Sequence, residues 1–594
     1  MNTRSLLVAL AAAGALLAGV ACRTDAPAPP ARLGHVRAHL PKEPRRLFPL
    51  VAASSYETQV NDLVYQYLLH FDPTTGRLAP QLAEAAPEIR VDEEGRTRYR
   101  FRLRAGAAWS DGRPVSVDDV VFTYKAIFFP GLASSPLRAG VRELVDIDRV
   151  GDDPRGFEIV VAADNLNGAA YYGNVPILPE HVYDPERALR EVSIPRLLAA
   201  GGPDELPAAT RGFADPERTA AFGKTTVVGS GPYRFDAWEP GRSIRLVRDR
   251  DFWGRDFRGG LFLAGPDTIE FVPVPDQQAA LAMLRNGDLD VVANVPPREA
   301  VAMRDDPDDG IDVHTPLQLT RTFVYLNTRD SLLADRDTRR GLAHLLDVEG
   351  FLRDVQLGFG RRLDGPYHPD QEYARIGDYP VAFSPDSARA ALARAGWTDA
   401  DGDGLLDRER ADGRRETLEL EYLYPAASSS SEALALLFAA DARRAGVRVV
   451  PVGKEYGALL SDLARRDFQL VQGALGGEPL PDDPYGLWHT GSDTPRGKNR
   501  AGFGDAATDA LIDSIRVNLD PVTRTSQYAR LARRIAEEQP VVFLIVPRER
   551  IAVRAGLNPV TTARRPGYYL PGFTGSRLGA AGASTARVSE SRAR

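Results

Sequence analysis

Three aspartates have a spacing that could bind a cation: Asp399, Asp401 and Asp403, followed by Gly404. Carboxylates at alternate positions and a glycine at the sixth position are typical of the first half of a calcium-binding loop. The twelfth position of such a loop should supply a bidentate glutamate, and here it is Arg410. We therefore expect no bound metal at this turn.

Other catalytic or metal-binding patterns are missing from the sequence. It contains neither G-x-S-x-G nor H-E-x-x-H, and segment 491–498 resembles a phosphate loop but has one residue too many and continues with Asn499 instead of Ser or Thr. His35 and His39 would lie about 13 Å apart on a strand, too far to share an ion. The sequence therefore predicts no catalytic residues, no metal and no cofactor.

The single cysteine, Cys22, follows Arg4 and the apolar run 6–20. This run is shorter than the roughly 20 residues of a membrane-spanning helix, which indicates a secretory signal. Residues 17–22 resemble the lipobox of bacterial lipoproteins, although Gly19 stands where leucine is preferred. The resemblance implies a signal peptide at 1–21 and a lipid on Cys22; ordinary signal cleavage near Ala21, with Cys22 unmodified, is the alternative.

Composition indicates a large, globular, mildly acidic protein. The chain has 594 residues and a formal net charge of -7, and such a charge argues against a nucleic-acid partner because phosphate binding needs a basic surface. Segment 22–32 is rich in alanine and proline, which favours an extended tether after the lipid. Segment 576–594 lacks periodicity and is expected to be disordered.

Between these ends, strands and helices alternate. Segment 98–103 alternates polar and apolar residues like a strand, and Ser116 with Asp119 predicts the start of a helix. Segments 268–313 and 418–471 each read as strands separated by helices. Such alternation predicts parallel sheets covered by helices, so we expect two α/β lobes.

Blocks of residues in a fixed order carry a family resemblance. The most characteristic block is 101–120 (FRLRAGAAWSDGRPVSVDDV). The other matching segments, in order, are 62–68, 71–72, 80–84, 228–233 (VGSGPY), 248–254 (RDRDFWG), 338–343, 395–397 (AGW), 401–404 (DGDG) and 483–485 (DPY). The chain resembles the family 5 extracellular solute-binding proteins of ABC importers, which include oligopeptide-, dipeptide- and nickel-binding members.

The resemblance implies an α/β, bilobed, periplasmic-binding-protein-like fold of class II, the large cluster C type, with an extra subdomain. Lobe I would comprise 33–70, 226–318 and 543–575. The extra subdomain would span 71–225, and lobe II would span 319–542. Crossings near 318–322 and 540–543 would form the hinge.

The resemblance also points to a ligand-binding loop. Peptide-binding relatives have Gly-Trp-x-x-Asp here, and the aspartate meets the peptide ammonium; this chain has Ala474 and Gly477 in the tryptophan and aspartate positions. A nearby carboxylate would have to replace the aspartate, since a buried ammonium without a partner is costly. The candidates are Glu478 as first choice, Asp482 as second, and Asp483.

Four more residues complete the predicted ligand site. Gly476 and Gly477 would let the backbone approach the ligand, and Tyr485 and Trp488 would form an apolar wall. If no carboxylate binds an ammonium group here, the ligand would be a blocked peptide, an oligosaccharide or another neutral solute.

The sequence thus predicts an extracytoplasmic, lipid-anchored, monomeric receptor. It would capture a short peptide and deliver it to the permease subunits of an ABC transporter. Three alternatives stay open: a binding protein for a non-peptide ligand such as an oligosaccharide, a receptor that signals without transport, and a secreted hydrolase.

Overall fold

The computed structural model describes residues 33–575, except 52–53, 133, 163–165, 307, 375–380, 411, 496 and 519. The predicted signal peptide 1–21, the predicted lipidation site Cys22 with the predicted tether 22–32, and the tail 576–594 lie outside the described residues. Within the described part, no helix is both long and apolar enough to cross a bilayer.

A seven-stranded sheet forms the centre of lobe I. Its strands, in spatial order, are Ile311–His314, Ile551–Arg554, Val291–Val292, Leu33–Leu40, Pro266–Pro273, Ser243–Arg248 and Tyr233–Glu239. Leu33–Leu40 pairs in parallel with Pro266–Pro273 and with Val291–Val292, and its residues Val36, Ala38 and Leu40 are fully buried. Helices Gln277–Arg285 and Pro297–Asp305 complete the predicted β-α-β-α-β unit, and Asp276 caps the first of them.

A second region carries an antiparallel four-stranded sheet. Its strands, in spatial order, are Glu88–Val91, Thr97–Arg102, Gly156–Val161 and Leu144–Arg149. Helix Val117–Phe128 begins as predicted, because Ser116 and Asp119 form a capping box. The other α-helices of this region are Ser135–Gly140, Gly168–Gly173, Glu180–Tyr183, Ile194–Ala199 and Pro216–Ala221.

Lobe II is built on a five-stranded sheet. The strands, in spatial order, are Arg448–Lys454, Glu419–Pro425, Leu470–Leu475, Arg321–Leu326 and Val541–Phe543. The α-helices around it are Arg336–His344, Val348–Gly350, Pro385–Arg394, Ser429–Arg443, Tyr456–Arg465, Tyr485–Trp488, Ala506–Val517 and Pro521–Glu538. The predicted alternation over 418–471 is confirmed, and Gly446, with φ of +80°, follows the helix that ends at Arg443.

The prediction of parallel sheets is only partly correct. The three strands of the predicted unit in lobe II run parallel, but Arg321–Leu326 is antiparallel to both of its neighbours. Its two neighbours are separated from it by long stretches of chain, so the local alternation of strands and helices does not specify its direction. Both large sheets are therefore mixed.

Two neighbouring segments connect the lobes. The first lies between Ile311–His314 and Arg321–Leu326; the second lies between Ile545–Pro547, which pairs with Gly360–Arg362, and Ile551–Arg554. The chain thus returns to the lobe I sheet after 547, not at 543 as expected, because one more strand pairs within lobe II. The other domain boundaries stay predictions.

Candidate ligand-binding site

A cavity of about 320 Å³ lies between the lobes. Lobe I contributes helix Ser55–Val64, strand Leu69–Phe71 and the loop of the hairpin formed by Leu557–Thr561 and Tyr568–Gly575. Leu319, Thr320 and the loop 476–478 face them from the other side. This volume is at the lower end of the range of about 300 to 1,000 Å³ usual for small-molecule sites.

Helix Ser55–Val64 supplies a polar face to the cavity. Ser54 and Glu57 form a capping box that fixes where the helix begins. Residues at positions i, i+3, i+4 and i+7 share one side of a helix, and these positions line the cavity with the side chains of Ser55, Thr58, Gln59 and Asp62. The opposite side is buried and includes the apolar side chains of Val60 and Val64.

The hairpin loop 562–567 supplies two arginines. The Arg564 guanidinium carbon lies 5.1 Å from the centre of the Phe71 ring, a distance at which a cation is attracted to the ring face. Arg564 Nε also lies 3.2 Å from Glu478 Oε2, while Arg565 Nε donates to Gln318 Oε1 at 3.4 Å. Arg564 and Glu478 therefore join the two lobes across the cavity.

The charges around the cavity balance. Its lining contains the carboxylates Asp62 and Glu478 and the guanidinium groups of Arg564 and Arg565. His70 also lines it, and burial lowers the pKa of its imidazole, so the ring is neutral near pH 7. The cavity thus suits a ligand that carries one positive and one negative group.

Glu478 is set apart by its surroundings. Half of its side-chain surface remains exposed. Loss of hydration beside the surrounding protein nevertheless raises the pKa of Glu478. The positive charge of Arg564 opposes this rise, and the negative charge of Asp62 adds to it. The Glu478 carboxylate therefore loses part of its hydration in the folded protein.

The predicted glycines lie beside Glu478 and also line the cavity. A Cβ on Gly477 would lie 2.6 Å from the carbonyl oxygen of Leu319, whereas a Cβ on Gly476 would meet nothing within 4 Å. Position 477 therefore requires glycine, because a side chain would clash with the segment that connects the lobes. Gly476 has free space beside it.

The four remaining predicted residues lie outside the cavity lining. Asp482 pairs with Arg321 at 2.6 Å and accepts a hydrogen bond from the Tyr373 hydroxyl at 3.1 Å. Asp483 pairs with Arg516 at 3.1 Å. These bonds hold the loop against lobe II and argue against direct contact of either carboxylate with a ligand in this cavity.

Tyr485 and Trp488 support the same loop. The Tyr485 ring stacks on His489 with centres 4.3 Å apart, and buried Trp488 packs edge-on against Phe503. Trp488 lines a separate pocket of about 100 Å³ together with both loop aspartates. The predicted apolar wall thus packs inside lobe II.

Sequence reasoning missed Asp62, His70 and Arg564 as cavity residues. The polar spacing of helix Ser55–Val64 was the available signal for Asp62. Arg564 had no such signal, because its hairpin loop meets helix Ser55–Val64 and the loop 476–478 only in the folded protein.

The aspartate-rich turn is exposed. The possible ligand oxygens of Asp399, Asp401 and Asp403 lie within 4.8 Å of one another. These carboxylates already accept backbone hydrogen bonds, from Gly402 to Asp399 at 2.8 Å and from Leu405 to Asp403 at 2.7 Å. The bonds account for the turn without an ion.

His35 and His39 face different partners. His35 Nε2 lies 3.1 Å from a carboxylate oxygen of Glu270. His39 Nε2 lies 2.8 Å from the carbonyl oxygen of Val274. Each imidazole is thus engaged separately on strand Leu33–Leu40.

Known proteins resemble this chain over most of its length. The oligopeptide-binding protein AppA of Bacillus subtilis is 25% identical over 524 residues, which cover 87% of each chain. Its structure in complex with a nonapeptide has a TM-score of 0.68 at 22% identity, over 92% of this chain and all of that one. NikA from Brucella suis in complex with Fe(III)-EDTA has a TM-score of 0.73 at 18% identity, over 91% and 100%.

The bilobed α/β fold predicted from the sequence is therefore confirmed. A sequence profile described as bacterial extracellular solute-binding proteins, family 5 middle, matches residues 77–498. The match includes the characteristic block 101–120 and extends through the loop that contains Glu478. The chain belongs to the bacterial extracellular solute-binding proteins of family 5.

Proposed function

We propose that this protein captures a short peptide between its lobes and delivers it to an ABC importer. The observation that carries the proposal is the balance of charge in the cavity, where Asp62 and Glu478 face Arg564 and Arg565. A peptide with free ends has one ammonium and one carboxylate, and both are costly to bury without partners. Glu478 and Arg564 neutralise each other, but an uncharged oligosaccharide would leave the Asp62 carboxylate without a cation.

One of the two relatives described above agrees with this proposal in the kind of ligand that it binds. AppA of Bacillus subtilis is named an oligopeptide-binding protein and was solved with a nonapeptide. The cavity of about 320 Å³ described here favours a shorter ligand. We propose that Gly476, Gly477 and Glu478 face this ligand from the lobe II side, and that it is bound without being cleaved.

The cellular setting is also part of the proposal. The protein would act outside the cytoplasm as a monomer, held at the membrane by a lipid on Cys22, and would dock on permease subunits. We expect Cys22→Ser to prevent acylation, because the lipid is attached to the thiol. Metabolic labelling with a fatty acid tests this, and a labelled, membrane-bound variant would contradict it.

Native mass spectrometry and thermal unfolding with a peptide library test the binding activity. A ligand that binds the folded state raises its stability by RT ln(1 + [L]/Kd). We expect short free peptides to raise the melting temperature and to be recovered intact by chromatography. A rise with oligosaccharides and none with peptides would overturn the proposal, and so would peptide cleavage.

A further inference from the structure

We propose that Asp62 and His70 together bind the primary ammonium of the ligand. This inference rests on the proposed function, since it assumes a peptide with a free amino end. The two residues lie on different elements of lobe I, helix Ser55–Val64 and strand Leu69–Phe71. Both line the cavity.

The hydrogen bonds around His70 fix which ring nitrogen accepts. Nδ1 lies 2.8 Å from the side-chain oxygen of Asn174. An amide oxygen only accepts, so Nδ1 carries the hydrogen and Nε2 of the neutral ring has a free lone pair. Asp62 Oδ2 lies 3.8 Å from this nitrogen.

Two acceptors thus face each other across a gap with no hydrogen between them. A distance of 3.8 Å is too long for a direct hydrogen bond, but one nitrogen between the two atoms can lie about 2.8 Å from each. An ammonium has three N–H donors and a positive charge, so it satisfies the imidazole and neutralises the carboxylate at once.

Asp62 is the cavity carboxylate that lacks a cationic partner. Glu478 is paired with Arg564, whereas no lysine or arginine in the described part of the chain lies within ion-pair distance of Asp62. Its other oxygen, Oδ1, accepts a hydrogen bond from the Tyr67 hydroxyl. Only 19% of the Asp62 side chain is exposed. A ligand cation would therefore meet a carboxylate that has few water molecules around it.

The pair is held firmly before any ligand arrives. The Tyr67 ring stacks on the His70 ring with centres 4.1 Å apart, and the same tyrosine bonds to Asp62. Asn174 fixes the imidazole from the other side. A site whose groups are already oriented loses little conformational entropy on binding.

The experiment is a binding cycle with one short peptide, its N-acetyl form, the wild-type protein and Asp62→Asn. We expect acetylation to weaken wild-type binding by about tenfold or more. Asp62→Asn should weaken binding of the free peptide by a similar factor. Its affinities for the free and the acetylated peptide should differ by less than about twofold. The matched control Glu478→Gln should keep the wild-type preference for the free amine.

A second set of variants tests the imidazole. His70→Gln retains a side-chain acceptor and should stay within about threefold of the wild type, whereas His70→Leu should lose about tenfold. The ¹⁵N chemical shift of His70 Nε2 should change when the free peptide binds and stay unchanged with the acetylated one. This signal does not depend on any variant folding.

The outcomes separate the two proposals. If the wild type binds no peptide at all, the proposed function fails. If it binds free and acetylated peptides equally, or if Asp62→Asn keeps the preference, the ammonium site is overturned while peptide binding stands. Binding of Ni²⁺ or Zn²⁺ alone to the wild type but not to Asp62→Asn would assign the pair to a metal instead.

Discussion

The carboxylates of the loop 478–483 and the carboxylate of helix Ser55–Val64 differ in what surrounds them. Asp482 and Asp483 each pair with an arginine of their own lobe. Asp62 has a tyrosine hydroxyl and an imidazole beside it. A carboxylate neutralised within its own lobe fixes the local chain, whereas one without a cation is available to a ligand.

Glu478 is intermediate between these two cases. Its cationic partner, Arg564, belongs to the other lobe, so their bond exists only when the lobes are close. Two more polar contacts join lobe II to the region of the four-stranded sheet, from Asn167 Nδ2 to the Pro481 carbonyl oxygen and from the Leu166 N–H to the Arg516 carbonyl oxygen, both at 2.9 Å. The structure therefore describes a closed arrangement of the lobes.

The largest effect should come from Asp482, where the comparison predicts a structural role. Asp482→Asn leaves the Arg321 guanidinium, of which only 6% is exposed, without its counter-charge. Breaking a buried pair on one side costs about 3 kcal/mol or more. We expect urea denaturation to show a loss of this size in the free energy of unfolding, with little change in peptide affinity for the folded protein.

Asp483→Asn is the matched control for that experiment. Its partner Arg516 is 28% exposed and Asp483 is 27% exposed, and exposed pairs contribute about 1 kcal/mol or less. Equal losses in both variants would contradict the distinction between the two aspartates. A tenfold loss of peptide affinity in Asp482→Asn and not in Asp483→Asn would show instead that Asp482 contacts the ligand.

Most elements of the fold could be predicted because their signals are local. Helix Gln277–Arg285 has its capping residue next to it and buries Ala280, Leu281 and Leu284 at helical spacing. The direction of strand Arg321–Leu326 in its sheet could not be predicted from the residues around it. It depends on pairing with strands far away in the chain, Leu470–Leu475 and Val541–Phe543, and alternating polarity alone does not specify that.

The site was harder to predict because it combines distant segments. The acidic loop was found from its sequence. The arginines that neutralise Asp482 and Asp483 are Arg321 and Arg516, which lie outside the loop in other segments of the chain. Nothing in the loop itself indicates which carboxylate is already paired. The polar spacing of its helix places Asp62 on one face, but the sequence does not show that no lysine or arginine of the described residues pairs with it.

An intermediate effect is expected for the pair between the lobes. Glu478→Gln and Arg564→Gln should each weaken peptide binding by about two- to fivefold, because the closed state loses up to about 1 kcal/mol. In small-angle X-ray scattering, the ligand-free variants should be more extended than the wild type. The free energy of unfolding should change little.

The double variant sharpens this prediction. If the two side chains act as a pair, Glu478→Gln/Arg564→Gln should bind about as well as either single variant. Suppose instead that Glu478→Gln loses tenfold and that acetylating the peptide adds no further loss. The ammonium would then meet Glu478, as the loop sequence alone suggested, and Asp62 would not be its partner.

The smallest effect concerns pH and compares Glu478 with Asp505. The pKa of Glu478 is raised in the folded protein, mainly through loss of hydration. The folded state therefore holds this proton more tightly than the unfolded state does. As pH rises from 4 through the raised pKa, the wild type should lose stability relative to Glu478→Gln, by less than about 1 kcal/mol because the side chain is half exposed.

Asp505 should show the opposite sign. It caps helix Ala506–Val517, and hydrogen bonds from the Thr508 N–H and hydroxyl lower the pKa of its carboxyl. The wild type should therefore gain stability relative to Asp505→Asn over the same rise in pH, and lose it as pH falls through the lowered pKa. Urea denaturation at pH 4, 5.5 and 7 measures both differences. If Glu478 follows the sign of Asp505, its bond to Arg564 outweighs its lost hydration, and it belongs with the structural aspartates of lobe II.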